Sequence, residues 1–147
     1  MRAIVYGVAL FVILANTSGC QRSPQVIYTA DAPKPVGPYS QAVVTGDLVF
    51  GAGQLGIDPQ FGKITSSTAE GQMEQSIKNM FAVLKAAGSD PSRLVKVTVY
   101  FKSLDDFEKV NAVYIRMLGE NRPARAAVEV SRIPLDGLIE IDYIAAR

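Results

Sequence analysis

Histidine is absent from the 147 residues, and cysteine occurs once, at Cys20. The first absence removes the side chain that most readily carries a proton near neutral pH and, with a single thiol, leaves no zinc site of the usual kind. The second rules out an intrachain disulfide and any thiol nucleophile beyond residue 20. A block of like charge is missing too. Of the 15 basic residues Arg2 lies in the leader described below, so residues 20–147 carry 14 basic against 14 acidic side chains. That balance argues against nucleic acid as a partner and against electrostatic adsorption to a membrane. Chemistry must come from carboxylates, Arg, Lys, Tyr, hydroxyls and backbone.

No apolar run is long enough for a spanning helix at the N-terminus either. Ala3–Ala15 is uncharged over 13 residues, short of the roughly 20 that a bilayer requires. With Arg2 before it and small residues after it, the stretch reads as a secretory signal peptide over residues 1–19. Cys20 follows Ser18 and Gly19 and precedes the polar Gln21-Arg22-Ser23-Pro24. This arrangement resembles a bacterial lipoprotein box, with Thr17 where the box usually carries leucine. The expectation is a lipidated Cys20 and a tether over 20–25 that hold the remaining domain, 26–147, at the bacterial cell envelope, membrane-anchored or periplasmic. Each buried CH₂ of such an anchor contributes about 0.8 kcal/mol.

About 125 residues make one domain with a sizeable core. A strand is expected at Val26–Thr29, followed by an irregular loop through Pro33, Pro35, Gly37 and Pro38. Ala42–Val44 and Leu48–Gly51, separated by Thr45-Gly46-Asp47, read as a hairpin, and Gly51, Gly53 and Gly56 suggest bulges or close backbone approach. Met73, Ile77, Met80, Phe81 and Leu84 fall on one face of a helix over Thr68–Ala87 that ends at Gly88. Its opposite face, with Gln72, Gln75, Lys78 and Lys85, is expected in water.

Val95, Val97, Val99 and Phe101 alternate with Lys96, Thr98 and Tyr100, the pattern of a half-buried strand. Ser103 and Asp106 resemble a capping box that opens a second helix with Phe107, Val110, Tyr114, Met117 and Leu118, stopped at Gly119. Strands return at Ala126–Val130 and Leu138–Ala145. The order β-β-β-α-β-α-β-β predicts an α+β mixed sheet with both helices on one face. The other face, with Leu138 and Ile144, is then expected to meet further subunits.

Six stretches carry a family resemblance: APKPVGPYSQAV (32–43), LVFGAGQLGIDP (48–59), the long first helix, VNAVY (110–114), RPARAAVEV (122–130) and PLDGLIEIDYIA (134–145). In this order, from about residue 26 to 146, they resemble the Rid family, the reactive intermediate deaminases also called YjgF-like proteins. The resemblance implies a chorismate-mutase-like fold, a homotrimer with ligand clefts between subunits, and hydrolysis of 2-enamine and 2-imine carboxylates to 2-keto acids and ammonia without cofactor or metal.

By that resemblance Arg125 binds the substrate carboxylate and Glu140 positions or activates the attacking water. The chemistry is apt, since a planar guanidinium grips a carboxylate through two hydrogen bonds, and a partly desolvated carboxylate can act as a general base. Tyr39 and Asn111 match residues lining the cleft. Gly53 and Ala127 match backbone contacts to ligand, Ala127 standing where the family often has cysteine. Ala52 stands where the family often has serine, so a hydroxyl is missing. Two other readings are consistent with the sequence: an idle module holding a small imino, keto or other carboxylic acid through Arg125, and a structural lipoprotein. From the residues alone, Arg125 could equally pair with Glu129 or Glu140 as a structural ion pair.

Overall fold

The computed structural model describes residues 23–147. The leader and Cys20 lie outside the described residues. Among the described residues no helix is long and apolar enough to cross a membrane.

The elements run β1 (Gln25–Ile27), β2 (Ala42–Thr45), β3 (Leu48–Leu55), β4 (Ile57–Asp58), β5 (Lys63–Ile64), α1 (Ala69–Ala86), β6 (Leu94–Phe101), α2 (Phe107–Leu118), β7 (Ala124–Glu129) and β8 (Ile139–Ala146). Six strands form one sheet in the order β1-β2-β3-β8-β6-β7, and β4 with β5 adds a small hairpin that sequence patterning does not signal. All main-sheet pairs are antiparallel except β6 with β7, which are parallel because α2 returns the chain to the same end.

Thr68 begins α1 by accepting a hydrogen bond from the Gly71 N–H at 3.2 Å. At the other end Gly88, with φ +76°, lets Ser89 N–H reach the Leu84 carbonyl and its own N–H reach that of Lys85, which satisfies two carbonyls left open by the last turn. Between these caps Met73, Ile77, Met80, Val83 and Leu84 are fully buried against Val49, Val97, Val99, Ile139, Ile141 and Tyr143 of the sheet. Removing any one of the larger side chains from such a core costs roughly 2–5 kcal/mol.

Four sequence expectations change. Gln72 is buried rather than in water: its amide accepts from Leu138 N–H at 2.7 Å and donates to the Ser66 carbonyl at 3.0 Å, which fastens α1 to two loops. Leu138 itself precedes β8 and packs toward the main core. Val95 is exposed because the β6–β8 register shifts between Leu94 and Lys96, and the extra residue is pushed out of the alternation. Ser103 does not cap α2. Its hydroxyl accepts from Asp105 N–H at 3.2 Å and caps a 3-10 turn, Leu104–Asp106, after which Asp106 opens α2 without a side-chain bond.

The face of the sheet away from the helices remains open. Strand register lines up Val26, Val43, Phe50 and Ile144 across four strands of it. Leu48, Phe50 and Val128 are exposed there, and β7 is exposed along nearly its whole length.

Candidate active site

Arg125 lies on β7, the edge strand, and points to the helix side. Its guanidinium donates to Asn111 Oδ1 of α2 at 2.8 Å and sits over the rings of Tyr114 and Phe107, with the central carbon 4.7 and 5.7 Å from the ring centroids. Stacking on two aromatic faces fixes the plane of the fork while leaving its outer N–H groups free. No ion pair among the described residues involves Arg125. The structural alternatives are occupied otherwise: Glu129 accepts from Leu104 N–H at 2.8 Å, and Glu140 lies two strands away. Arg125 and Asn111, distant in sequence, thus meet in a hollow of about 270 Å³ with Tyr114, Ile115, Arg122 and Pro123.

Glu140 occupies a second hollow, of about 210 Å³, with Gly53, Tyr100, Val130, Arg132, Ile133 and Asp142. It projects to the open face, between Leu55 of β3 and Tyr100 of β6. Burial raises its pKa above the ordinary carboxylate value, and the nearby Asp142 charge raises it further. Tyr100 donates to Asp142 Oδ2 at 2.8 Å, a bond that also pushes the phenol's pKa up. The bulge between Gly51 and Gln54 brings backbone against this carboxylate. A Cβ at Gly53 would overlap Glu140 Oε1, so a side chain there would push this carboxylate out of its present position.

Tyr39 joins the same side. Together with Gly53, Gln41, Pro33 and Lys34 it lines a narrow cleft adjoining the Glu140 hollow, and its hydroxyl accepts from Val36 N–H at 3.2 Å. The residue that holds this loop is Gln41, which sequence patterning does not single out as structural. Buried, it accepts from Thr29 N–H at 2.7 Å and donates to the carbonyls of Thr29 and Pro33 at 3.0 and 2.9 Å. Sequence patterning does not single out Tyr100, Asp142, Tyr114 and Arg122 as site residues either. Asp142 shares strand parity with Glu140 and Tyr114 a helix face with Asn111, whereas Tyr100 and Arg122 carry no such signal.

Five of the six residues expected at the site therefore fall into two groups, and Ala127 joins neither. Tyr39, Gly53 and Glu140 share one neighbourhood, and Arg125 and Asn111 the other. Ala127 lies on Arg125's strand face, exposed, and lines neither hollow. Strand geometry imposes the separation. Arg125 pairs with Val97 and Val97 with Tyr143, and Glu140 stands three residues from Tyr143, an odd offset that turns it to the opposite face. One chain does not bring Arg125 and Glu140 together. Among the described residues no cluster of His, Cys, Asp or Glu suited to a metal ion occurs.

An α+β sheet sealed by two helices on one face, with an arginine lacking a carboxylate partner and a half-buried carboxylate in hollows of its two faces, defines a chorismate-mutase-like domain with a candidate polar group on each face. Comparison with known proteins gives the family. The profile of the family described as Endoribonuclease L-PSP matches residues 29–147. A RutC family protein of Pyrococcus horikoshii is 51% identical over 121 residues, 82% of this chain and 96% of the relative. The human 2-iminobutanoate/2-iminopropanoate deaminase is 42% identical over 121 residues, 82% of this chain and 88% of that protein. The crystal structure of E. coli TdcF with bound serine matches with a TM-score of 0.80 and 37% identity, over 84% of this chain and 98% of that one. The chain belongs to the Rid (YjgF-like, L-PSP) family.

Proposed function

We infer that the protein is a homotrimer that hydrolyses 2-imino and 2-enamino carboxylates to 2-keto acids and ammonia. The observation that carries this reading is the division of the site. Arg125 is unpaired, stacked and on the helix face, while Glu140 has a raised pKa and lies on the open face, so a substrate touching both must lie between two subunits. The open apolar row and the exposed edge strand β7 supply the surfaces for such an assembly.

In that cleft Arg125 of one subunit binds the carboxylate and sets C2 beside a water held by Glu140 of another. The water oxygen adds to C2 of the protonated imine as Glu140 takes one water proton, and the C=N pair becomes the lone pair of an amine. Glu140 returns that proton to the nitrogen of the carbinolamine, and the C–N bond breaks as the hydroxyl gives its proton to Glu140, which passes it to solvent, leaving ketone and ammonia. Imines hydrolyse unaided, so positioning and one carboxylate that relays protons suffice, each within the usual range of such effects. The human relative carries an imine deaminase name and the E. coli structure holds an amino acid, which supports a small amino-acid-derived ligand for this chain. Cofactor independence belongs to the same reading: every group named in the mechanism comes from the chain.

The missing hydroxyl at Ala52 favours a second reading, a cleft that holds a small carboxylate without turning it over. One experiment separates the two. Imines are generated in situ from several L-amino acids, the remainder is trapped with semicarbazide, and release of keto acid is followed with the wild type and Arg125→Ala. Acceleration that depends on Arg125 is expected. A well-assembled protein that binds keto acids but accelerates nothing would leave the binding reading.

The envelope location is also part of the proposal and rests on residues 1–20. Its check is fractionation of cells expressing the full chain or Cys20→Ser: the full chain is expected with membranes, and the serine variant released from them. Equal distribution of both would refute the anchor.

A further inference from the structure

The hollow that holds Arg125 contains a second cation. Arg122 lines the same cavity of about 270 Å³, three residues upstream, across Pro123. Its side chain is held in place by two bonds from one nitrogen, to the carbonyl of Gly119 and, at 2.9 Å, to that of Asn121, at the turn that ends α2. The remaining guanidinium nitrogens make no further bond to the protein among the described residues. Neither arginine has a carboxylate partner, and no acidic residue lines the cavity.

Beneath the two cations lies Tyr114. It is buried, and its hydroxyl has no hydrogen-bond partner among the described residues. Burial raises its pKa, while the positive charges of Arg125 and Arg122 both act against that rise, so both guanidinium groups bear on the same ring. Two like charges facing one small cavity repel each other unless an anion enters.

The geometry points to a ligand with two negative charges: Arg122 is a second carboxylate anchor, and the preferred substrates are 2-imino acids whose short side chain ends in a carboxylate. Arg125 takes the C1 carboxylate and Arg122 the distal one. Arg122 acts on specificity and takes no part in the proton transfers. This inference rests on the reading of Arg125 as the substrate-carboxylate site and adds to it the class of side chain selected.

The test uses the full assembly and two stable keto acids that differ in the distal group, 2-oxoglutarate and 2-oxobutanoate, titrated calorimetrically. Wild type is expected to bind the dicarboxylate about tenfold more tightly, the scale of one extra charge-assisted contact at a solvent-accessible site. Arg122→Gln is expected to abolish that preference, and Arg122→Lys to restore most of it. Rising salt should erode it, because both arginines are exposed. A wild type that binds both ligands equally, or a preference unchanged in Arg122→Gln, overturns the inference. Hydrolysis rates of the imines of glutamate and 2-aminobutyrate form a separate arm. A preference for dicarboxylate that depends on Arg122, in the absence of any turnover, supports Arg122 as the anchor and refutes the enzyme reading. Turnover of both imines with no such preference does the reverse.

Discussion

On the helix side of the sheet, Ile139, Ile141, Tyr143 and Ala145 of β8 are sealed beneath α1, and Arg125 is braced at the margin by Asn111, Tyr114 and Phe107. On the open side the alternate residues of the same strand, Glu140, Asp142 and Ile144, stay partly exposed beside Phe50 and Val128. The first hollow is cationic, and a packed helix supplies its second wall. The second is acidic, and it owes its raised pKa to partial burial in a hollow of the chain's own making. The contrast teaches that a single strand alternation, the device that builds the core, also divides the chemistry.

The most direct way to break this comparison is subunit complementation. Arg125→Ala and Glu140→Gln should each lower kcat/KM by about 10²-fold or more, as expected for losing a charged substrate contact or a general base. Unfolded together and reassembled in equal amounts, the two variants should recover about a quarter of the wild-type rate, because each cleft draws its arginine and its carboxylate from different subunits. No recovery in correctly sized assemblies would show that both residues serve from one chain.

Next in size is Gln41→Ala. It strips the loop over residues 29–33 of a buried residue that accepts from one N–H and donates to carbonyls. A stability loss of about 1–3 kcal/mol in urea denaturation is expected, with a raised KM because Tyr39 and Lys34 ride on that loop. Gly53→Ala is smaller in its effect on folding, since the atom it meets is the mobile end of Glu140. It should instead reduce kcat by about tenfold by displacing the carboxylate from its water. Steady-state kinetics with unchanged thermal unfolding would separate this from a packing defect.

The smallest effect sharpens the account of Glu140. Asp142→Asn removes the negative charge that, after burial, raises the Glu140 pKa. A general base works deprotonated, so activity falls as pH drops through its pKa. Lowering that pKa moves the acid limb of the kcat profile to lower pH and leaves the alkaline side in place. An acid limb that stays put would mean that another group controls it.

Much of the fold is legible in the chain. The apolar spacing of Met73, Ile77, Met80 and Leu84, with Thr68 and Gly88 at either end, specifies α1 nearly to the residue, because caps and periodicity are local properties. The alternation Ile139, Ile141, Tyr143, Ala145 likewise identifies the buried face of β8. Val95, Gln72 and Ser103 were misread for a common reason: a bulge, a loop packed onto a helix and a 3-10 turn depend on partners far away in sequence. The resemblance drew Arg125, Glu140, Tyr39, Gly53 and Asn111 from the motifs, but it could not say that they occupy two faces.

The sequence by itself determined the repertoire of this protein. Without histidine, and with one cysteine at residue 20, the domain draws its chemistry from carboxylates, Arg, Lys, Tyr, hydroxyls and backbone, and its periodicities determine which residues become helix, strand and core. Tertiary structure alone decided the neighbours. Placing β7 outside β6, and β8 between β3 and β6, put Arg125 with Asn111 and Arg122 on one face and Glu140 with Gly53 and Asp142 on the other. Strand order and register follow from packing over the whole chain, whereas residue chemistry and local period are written position by position.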